Sequence, residues 1–420
     1  MSEPLDVHTG EHPSHEPEKS AFGKLVVLMV TAFIDMLGLL MILPLLPFYA
    51  KSLGGGGLIV GLLVSAFSVA QLISAPIWGR FSDRYGRRPA LMVGLGASAI
   101  AYVVFAYADS LWLLFLSRIV QGAGGGTVSV IQAYVADATK PDDRAKSLGW
   151  LSAATNAGVA IGPVIGSWVQ HWGAHTPGLL AAGLCVINMI FASRYLTEAR
   201  KPSGAPGLNA DGTKTVRKGS REAVMRVVTH PDEPASRLIL IYAIAIGAFQ
   251  GATSILALFL AFRFGVTADT IGYFFFYIGV LSVFVRAVIL GRFLNWVGEP
   301  KLSRWGIVLL GAGLVGIAFS HNYVTLALAV GLLPLGTAFT FPCVTAMLSR
   351  VVSSAERGLY MGVQQTFGGI TRVAFPVLFG LAFDGLGEAS PFLISATMVL
   401  ATLLLGRDME RYAPRAKVSV

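Results

Sequence analysis

GRFSDRYGRRPAL, residues 79–91, returns 212 positions later as GRFLNWVGEPK, residues 291–301, with Gly79 and Gly86 matched by Gly291 and Gly298. Arg144 and Arg357, Gly149 and Gly362, and Pro163 and Pro376 repeat at a spacing of 213. Each copy of the loop joins two long apolar runs, so a whole series of membrane-length segments is written twice. Parallel repeats of this kind, related by an axis along the membrane normal, are one architecture of alternating-access transporters. A duplicated helix bundle does not by itself imply transport.

Working outward from the loop, about twelve apolar windows can be marked, each near the 20 or so residues needed to cross a bilayer. They run near 22–48, 56–79, 90–108, 111–136, 147–170, 177–196, 237–261, 270–292, 303–320, 323–348, 358–382 and 390–406. Of the 420 residues 54% are hydrophobic and 13% charged, with a mean hydropathy of +0.67; soluble domains carry roughly 25% charged residues. The expected fold is an all-α membrane protein with twelve transmembrane helices in two pseudo-symmetric six-helix bundles. The bundles are residues 22–196 and 237–406, joined by a cytoplasmic linker at 197–236 rich in Lys, Arg, Gly, Pro and Ser and flanked by cytoplasmic tails at 1–21 and 407–420.

Apart from Lys51 and Arg263 in outer loops and Arg118, Arg286 and Arg372 within helices, the other 27 of the 32 lysines and arginines fall on one side if the N-terminus is inside. By the positive-inside rule both termini are cytoplasmic. The net charge of +9 then reflects topology and contact with anionic lipid, and nucleic acid is not an expected partner. The polar, acidic N-terminal segment lacks the pattern of a secretory signal. Its His8, His12 and His15 have no packed frame for a metal, and Cys185 and Cys343 have neither disulfide nor zinc-ligand spacing, so no cofactor is expected. No phosphate-binding G-x-x-x-x-G-K-[ST] loop is present to power transport by ATP, and no nucleophile, base and orienting group converge as in an enzyme.

Within the windows, helix ends apart, the one acidic residue is Asp35, in VTAFIDMLGLLMILPLLPFY, residues 30–49. A charge at the centre of a membrane helix costs roughly 2.5–3.5 kcal/mol on insertion scales and marks a functional candidate. Arg118 in LLFLSRIVQGAGGG cannot discharge itself and needs an acceptor, which backbone carbonyls or glutamine side chains could also supply. Burial opposes the charged carboxylate of Asp35, whereas a nearby guanidinium favours it, so a site held between these pulls can exchange a proton. Gln71, Gln121, Asn156, Gln250 and Gln364 are polar candidates for a substrate cavity. Arg372, after Gln364 and Gln365, suits either a polar or anionic substrate group or an interhelical hydrogen bond, while Arg286 is placed to snorkel to the cytoplasmic face. The aromatic run GYFFFYIG, residues 272–279, could line a pocket or pack on helices and lipid.

In Gly79, Asp83, Arg84, Gly86, Arg87 and Arg88 the loop resembles the signature of the major facilitator superfamily. The resemblance implies a gating latch between these charges and neighbouring helix ends, with Asp137 as the acidic partner on the fourth helix. Asn295 stands where Asp83 would repeat, so the second latch is expected to be weaker. Leu114, Arg118, Gln121, Gly122 and Gly124 resemble the proton-transfer motif of proton-coupled members. Gly149, Gly158, Gly162, Pro163 and Gly166 resemble the antiporter signature, with Ser167 for its closing glycine. The first helix resembles that of the twelve-helix drug/proton antiporters, tetracycline/proton antiporters in particular, with Asp35 at the acidic position.

What the resemblance implies is a monomeric secondary transporter of the inner (plasma) membrane, whose partners are protons, lipids and a small-molecule substrate. It would export hydrophobic drugs or metabolites, and so confer antibiotic resistance, in exchange for protons handled by Asp35 and Arg118. The tetracycline antiporters also have acids in the third and ninth helices and a histidine in the eighth; this chain has Ala101 at the third-helix position and neither of the others. A sugar or metabolite uniporter or symporter, or a non-transporting sensor, remain alternatives on the residues alone.

Overall fold

A computed structural model describes residues 18–139, 141–196, 198, 218–354 and 356–407. The histidines of the N-terminal tail, most of the linker and the C-terminal tail from 408 lie outside these residues. Among the described residues there is no strand. The first span is α1 (Glu18–Ile42) followed, after a turn at Pro44, by α2 (Leu46–Ser52). Then come α3 (Gly57–Tyr85), α4 (Arg87–Ala106), a fourth span broken into α5 (Leu111–Gly124) and α6 (Thr127–Ala138), α7 (Pro141–Gln170) and α8 (Thr176–Tyr195). A linker helix α9 (Lys218–Thr229) leads to α10 (Pro234–Phe264). The eighth span is α11 (Ile271–Phe284), a π-helical stretch Val285–Ile289 and α12 (Leu290–Val297); α13 (Glu299–Ala318), α14 (Tyr323–Val351), α15 (Arg357–Leu386) and α16 (Ser390–Leu405) complete the chain. Eleven described spans are long and apolar enough to cross a bilayer. The twelfth window forms α16, of 16 residues and so about 24 Å, short for the hydrocarbon core.

The repeat is visible in the backbone. Gly86 and Gly298 both have positive φ, 101° and 80°, where one helix of each loop ends and the next begins. A side chain would be strained in that conformation, which is why glycine recurs there. Helices α1–α8 pack chiefly with one another, as do α10–α16, and the two sets meet along two seams, α3 on α15 and α7 on α11.

Small residues allow both kinds of packing. A β-carbon at Gly158, Gly162 or Gly166 would overlap the carbonyl oxygens of Phe33, Leu37 and Met41, so this stripe seats α7 directly on the backbone of α1. Another face of α7 meets the second half: Gly272 of α11 lies against Pro163 and Ser167, and Gly279 against Ala160. The amide of Gly272 donates to Ser167 Oγ at 2.8 Å. On the other seam Gly57 and Gly380 abut, Gly61 lies on the backbone at Pro376, Ser65 Oγ donates to the carbonyl of Val373 at 2.6 Å, and Gly369 meets Leu72.

The contacts between the halves run from the end of the bundle remote from α9 to about its middle. Toward the other end the seams part: Gly79, Gly149, Gly291, Gly358 and Gly362 have open space where a side chain would stand. The molecule is closed at one end and open at the end that carries the linker helix.

Candidate functional site

The broken fourth span builds the site. Gly122, Gly124, Gly125 and Gly126 bring its backbone so close to α3 and α4 that side chains would collide with Phe67, Trp78 and Gln71 of α3 and Ala97 of α4. The break frees carbonyls, and α3 satisfies them: Trp78 Nε1 donates to Ala123 O at 2.5 Å, Ser74 Oγ to Gly122 O at 3.2 Å and Gln71 Nε2 to Gly125 O at 3.3 Å. Irregular backbone at membrane depth is tolerated where neighbouring protein groups pair it in this way. The fourth window, 111–136, thus forms two helices within one span, and α6 starts at Thr127 beside α1.

Thr127 Oγ1 donates to Asp35 Oδ2 at 2.7 Å, with both residues buried. The carboxylate therefore also lies near the first turn of α6, where the helix dipole favours negative charge. Asp35 shares a cavity of about 30 Å³ with Gln71, Ser98, Tyr102 and Gln121, walled by Met36, Leu39 and Phe67. That volume and its polar lining suit a single water molecule.

Among the described residues Asp35 and Arg118 form no ion pair. Arg118 is 1% exposed, its guanidinium lies 5.6 Å from the centre of the Phe105 ring, and its Nε and Nη2 have no hydrogen-bond partner. Tyr102, also fully buried, lines the Asp35 cavity.

The remaining cavity candidates are dispersed. Gln121 is buried in the Asp35 site with Oε1 unpaired. Asn156 lines a separate, larger cavity of about 120 Å³ between α1, α6 and α7 with Gln132, Ser152 and Thr155. Gln250 sits in the closed junction of the halves beside Leu43, Pro44, Pro47 and Phe275. Gln364 is buried and accepts from Thr345 Oγ1 at 3.4 Å. Arg372 is half-buried on α15, and neither it nor Arg286 has a hydrogen bond or ion pair among the described residues. Of the aromatic run, Tyr273, Phe276 and Tyr277 are exposed on the bundle surface and only Phe275 reaches the junction.

At the open end Arg87 gathers the loop charges: it lies 2.9 Å from Asp83 Oδ1 and 3.0 Å from Asp137 Oδ2, and it donates to Ser82 Oγ at 2.8 Å. Arg88 reaches the Ser193 carbonyl and Arg84 lies over the Tyr85 ring. Glu198, unnoticed in the sequence, accepts from the amides of Arg87 and Arg88 at 2.9 and 3.0 Å and so caps α4. The second copy keeps an ion pair even though Asn295 removes the counterpart of Asp83. Glu299 and Arg350 form an ion pair of 2.6 Å. These residues repeat Arg87 and Asp137 at spacings of 212 and 213, with the charges exchanged. A search for a second aspartate overlooks this, because an ion pair works in either polarity.

A family model described as Major Facilitator Superfamily matches residues 28–333 and 287–418. The chain belongs to the major facilitator superfamily. It is 29% identical over 361 residues to multidrug resistance protein 1 of Bacillus subtilis (strain 168), covering 86% of this chain and 90% of that one. To the class B tetracycline resistance protein of Escherichia coli it is 26% identical over 363 residues, covering 85% and 88%. Among solved structures, the human organic anion transporter MFSD10 (TETRAN) aligns with a TM-score of 0.66 at 23% identity, over 93% of this chain and all of that one. A POT family transporter in complex with 5-aminolevulinic acid aligns with a TM-score of 0.72 at 16% identity, over 92% and 96%. At these identities the two structures speak to the fold alone, which is the all-α fold expected from the repeated loop.

This major facilitator is a multi-pass membrane transporter. One further contact, between its halves, was missed in the sequence: at the closed end Asp384 of α15 accepts from the amides of Gly57 and Leu58 at 2.7 and 2.8 Å, capping α3 across the seam. Its only advance sign was an acidic residue at the edge of a window.

Proposed function

We propose that this major facilitator exports drug-like hydrophobic or amphipathic molecules across the plasma membrane in exchange for protons. The observation that carries the reading is Asp35: a carboxylate buried between helices, held by Thr127 beside a small polar cavity and without a countercharge in ion-pair contact. A buried carboxyl in that setting changes charge at the cost of its surroundings, so its protonation and the arrangement of α1 and α6 are coupled. The drug and tetracycline resistance relatives support the substrate class in general terms. Tetracycline itself is the less favoured cargo, since Ala101 stands at the third-helix position and no acid lies within residues 306–319 of the ninth helix.

With the positive-inside orientation, the open end faces the cytoplasm and the molecule is inward-facing. Cargo enters from that side, the seams close over it, and the contacts around Gly57, Asp384, Gly272 and Ser167 part to release it outside. The return step carries the proton on Asp35 inward. Because that carboxyl does not hold a proton and permit cargo occupancy at once, the exchange is obligatory. The test is pH-gradient-driven uptake in inverted vesicles: Asp35→Asn, which fixes the neutral form, is expected to fold yet lose uptake, and undiminished uptake by this variant refutes the assignment.

A further inference from the structure

Two arginines of the second half without a hydrogen bond or ion pair among the described residues, Arg372 and Arg286, lie along the lines of the two seams. On α15, Gly369, Val373 and Pro376 face α3, whereas Gly368, Phe375 and Phe379 face α10. At 100° per residue Arg372 falls between these faces, toward the space enclosed by the halves. Its depth is set by neighbours: Ser65 bonds to Val373 and Leu72 touches Gly369, so Arg372 lies level with the Phe67–Gln71 stretch that walls the Asp35 cavity. It stands where the α3–α15 seam begins to open.

Arg286 follows on the other seam. Gly272 and Gly279 both point at α7, and Arg286 is a further seven residues along the same stripe. The antiparallel register, Gly272 on Pro163 and Gly279 on Ala160, brings Arg286 level with the Ser152–Asn156 wall of the larger cavity. It is exposed, and it lies in the π-helical stretch; such insertions concentrate at functional sites.

Acids that could neutralise either arginine are engaged elsewhere. Asp384 caps α3, Glu388 pairs with Arg263 at 3.2 Å, Glu299 pairs with Arg350, and Asp35 is held by Thr127. A guanidinium keeps its charge at any physiological pH, and a charged group at membrane depth calls for a partner. We propose that the cargo itself supplies it: the transported molecule carries a carboxylate on an apolar body, Arg372 binds that carboxylate, and Arg286 receives it at the cytoplasmic approach. This rests on the reading of the protein as an exporter with its cavity between the halves, and it narrows the substrate class to organic anions. The planar, forked guanidinium suits bidentate recognition of a carboxylate.

The test is equilibrium binding to the purified full-length protein in detergent, read by fluorescence anisotropy, with fluorescein as the carboxylate probe and rhodamine 6G as a cationic probe on the same ring system. Wild type is expected to prefer fluorescein. Arg372→Gln is expected to weaken fluorescein at least tenfold without weakening rhodamine 6G, Arg372→Lys to retain part of the affinity, and Arg286→Gln to weaken it about threefold. Preference of wild type for rhodamine 6G, or equal fluorescein affinity in all four proteins, overturns the proposal. Should Arg372→Gln not fold, Arg372→Lys and Arg286→Gln still decide it, since both must reduce fluorescein affinity.

A lipid phosphate shares the anionic chemistry, so binding is repeated in nanodiscs with and without phosphatidylglycerol. If the arginines serve only lipid, phosphatidylglycerol binding falls in the variants and fluorescein binding does not, which also overturns the proposal. Because no pH gradient is used, the outcome is separable from proton exchange: fluorescein bound through Arg372 but transported without regard to pH would sink the antiport reading and leave this one standing.

Discussion

At Asp35 the decisive neighbour is Thr127, which occupies the first position of α6 only because the glycine run ends α5 early. A hydrogen bond to a charged group contributes about 1.5–3 kcal/mol. Thr127→Val is therefore expected to cut pH-driven transport at least fivefold, with Thr127→Ser close to wild type; equal rates in the two variants would remove Thr127 from the mechanism. The glycines of α7 separate in the same way, residue by residue. Gly162 touches the α1 backbone and Gly149 faces open space. Gly162→Ala is expected to destabilise by about 1–3 kcal/mol through overpacking, whereas Gly149→Ala is expected to be neutral or to stabilise by up to about 1 kcal/mol through helix propensity. Thermal unfolding in detergent measures both.

At the scale of elements, the closed end depends on one helix capping another. Asp384 takes the first two free amides of α3, groups that have no intrahelical acceptor, and it does so from the opposite half. Asp384→Asn keeps the shape but removes the charge and one acceptor, and loss of a helix cap typically costs about 1 kcal/mol. The expected outcome is a shift toward opening of this end, seen as faster thiol labelling of Ser65→Cys on the seam. Cys185 and Cys343 are buried and supply a low background. Labelling of Ser65→Cys unchanged by Asp384→Asn would show that glycine packing alone holds the seam.

Across the whole molecule, the two halves repeat their geometry while exchanging their charges. Arg87 with Asp137 and Glu299 with Arg350 occupy equivalent places at the open end. Reversing one member, as in Arg87→Glu, sets like charges together at a half-buried site, and a cost of about 1–3 kcal/mol lies between the exposed and buried cases. Adding Asp137→Arg copies the polarity of the second half and is expected to restore most of the melting temperature. Failure of the double variant to recover would place the value of Arg87 in its bonds to Asp83 and Ser82.

The spans, the duplication, the isolated acid in the first helix and the glycine face of α7 were all legible along the chain, because hydropathy, spacing and composition are sums over neighbouring residues. Membrane burial leaves its mark on every residue of a helix, and a repeated loop leaves its mark twice. The partner of Asp35, the break that places it, the tyrosine that shares its cavity, the aspartate that caps α3 and the state in which one end is shut were settled by tertiary structure alone. Each depends on which polar group happens to stand opposite another after helices far apart in sequence have packed, and hydrogen bonds and ion pairs accept many residue types in either polarity. Arg87 and Glu299 make the point together: their position was written in the repeat, and their charges had meaning only beside Asp137 and Arg350.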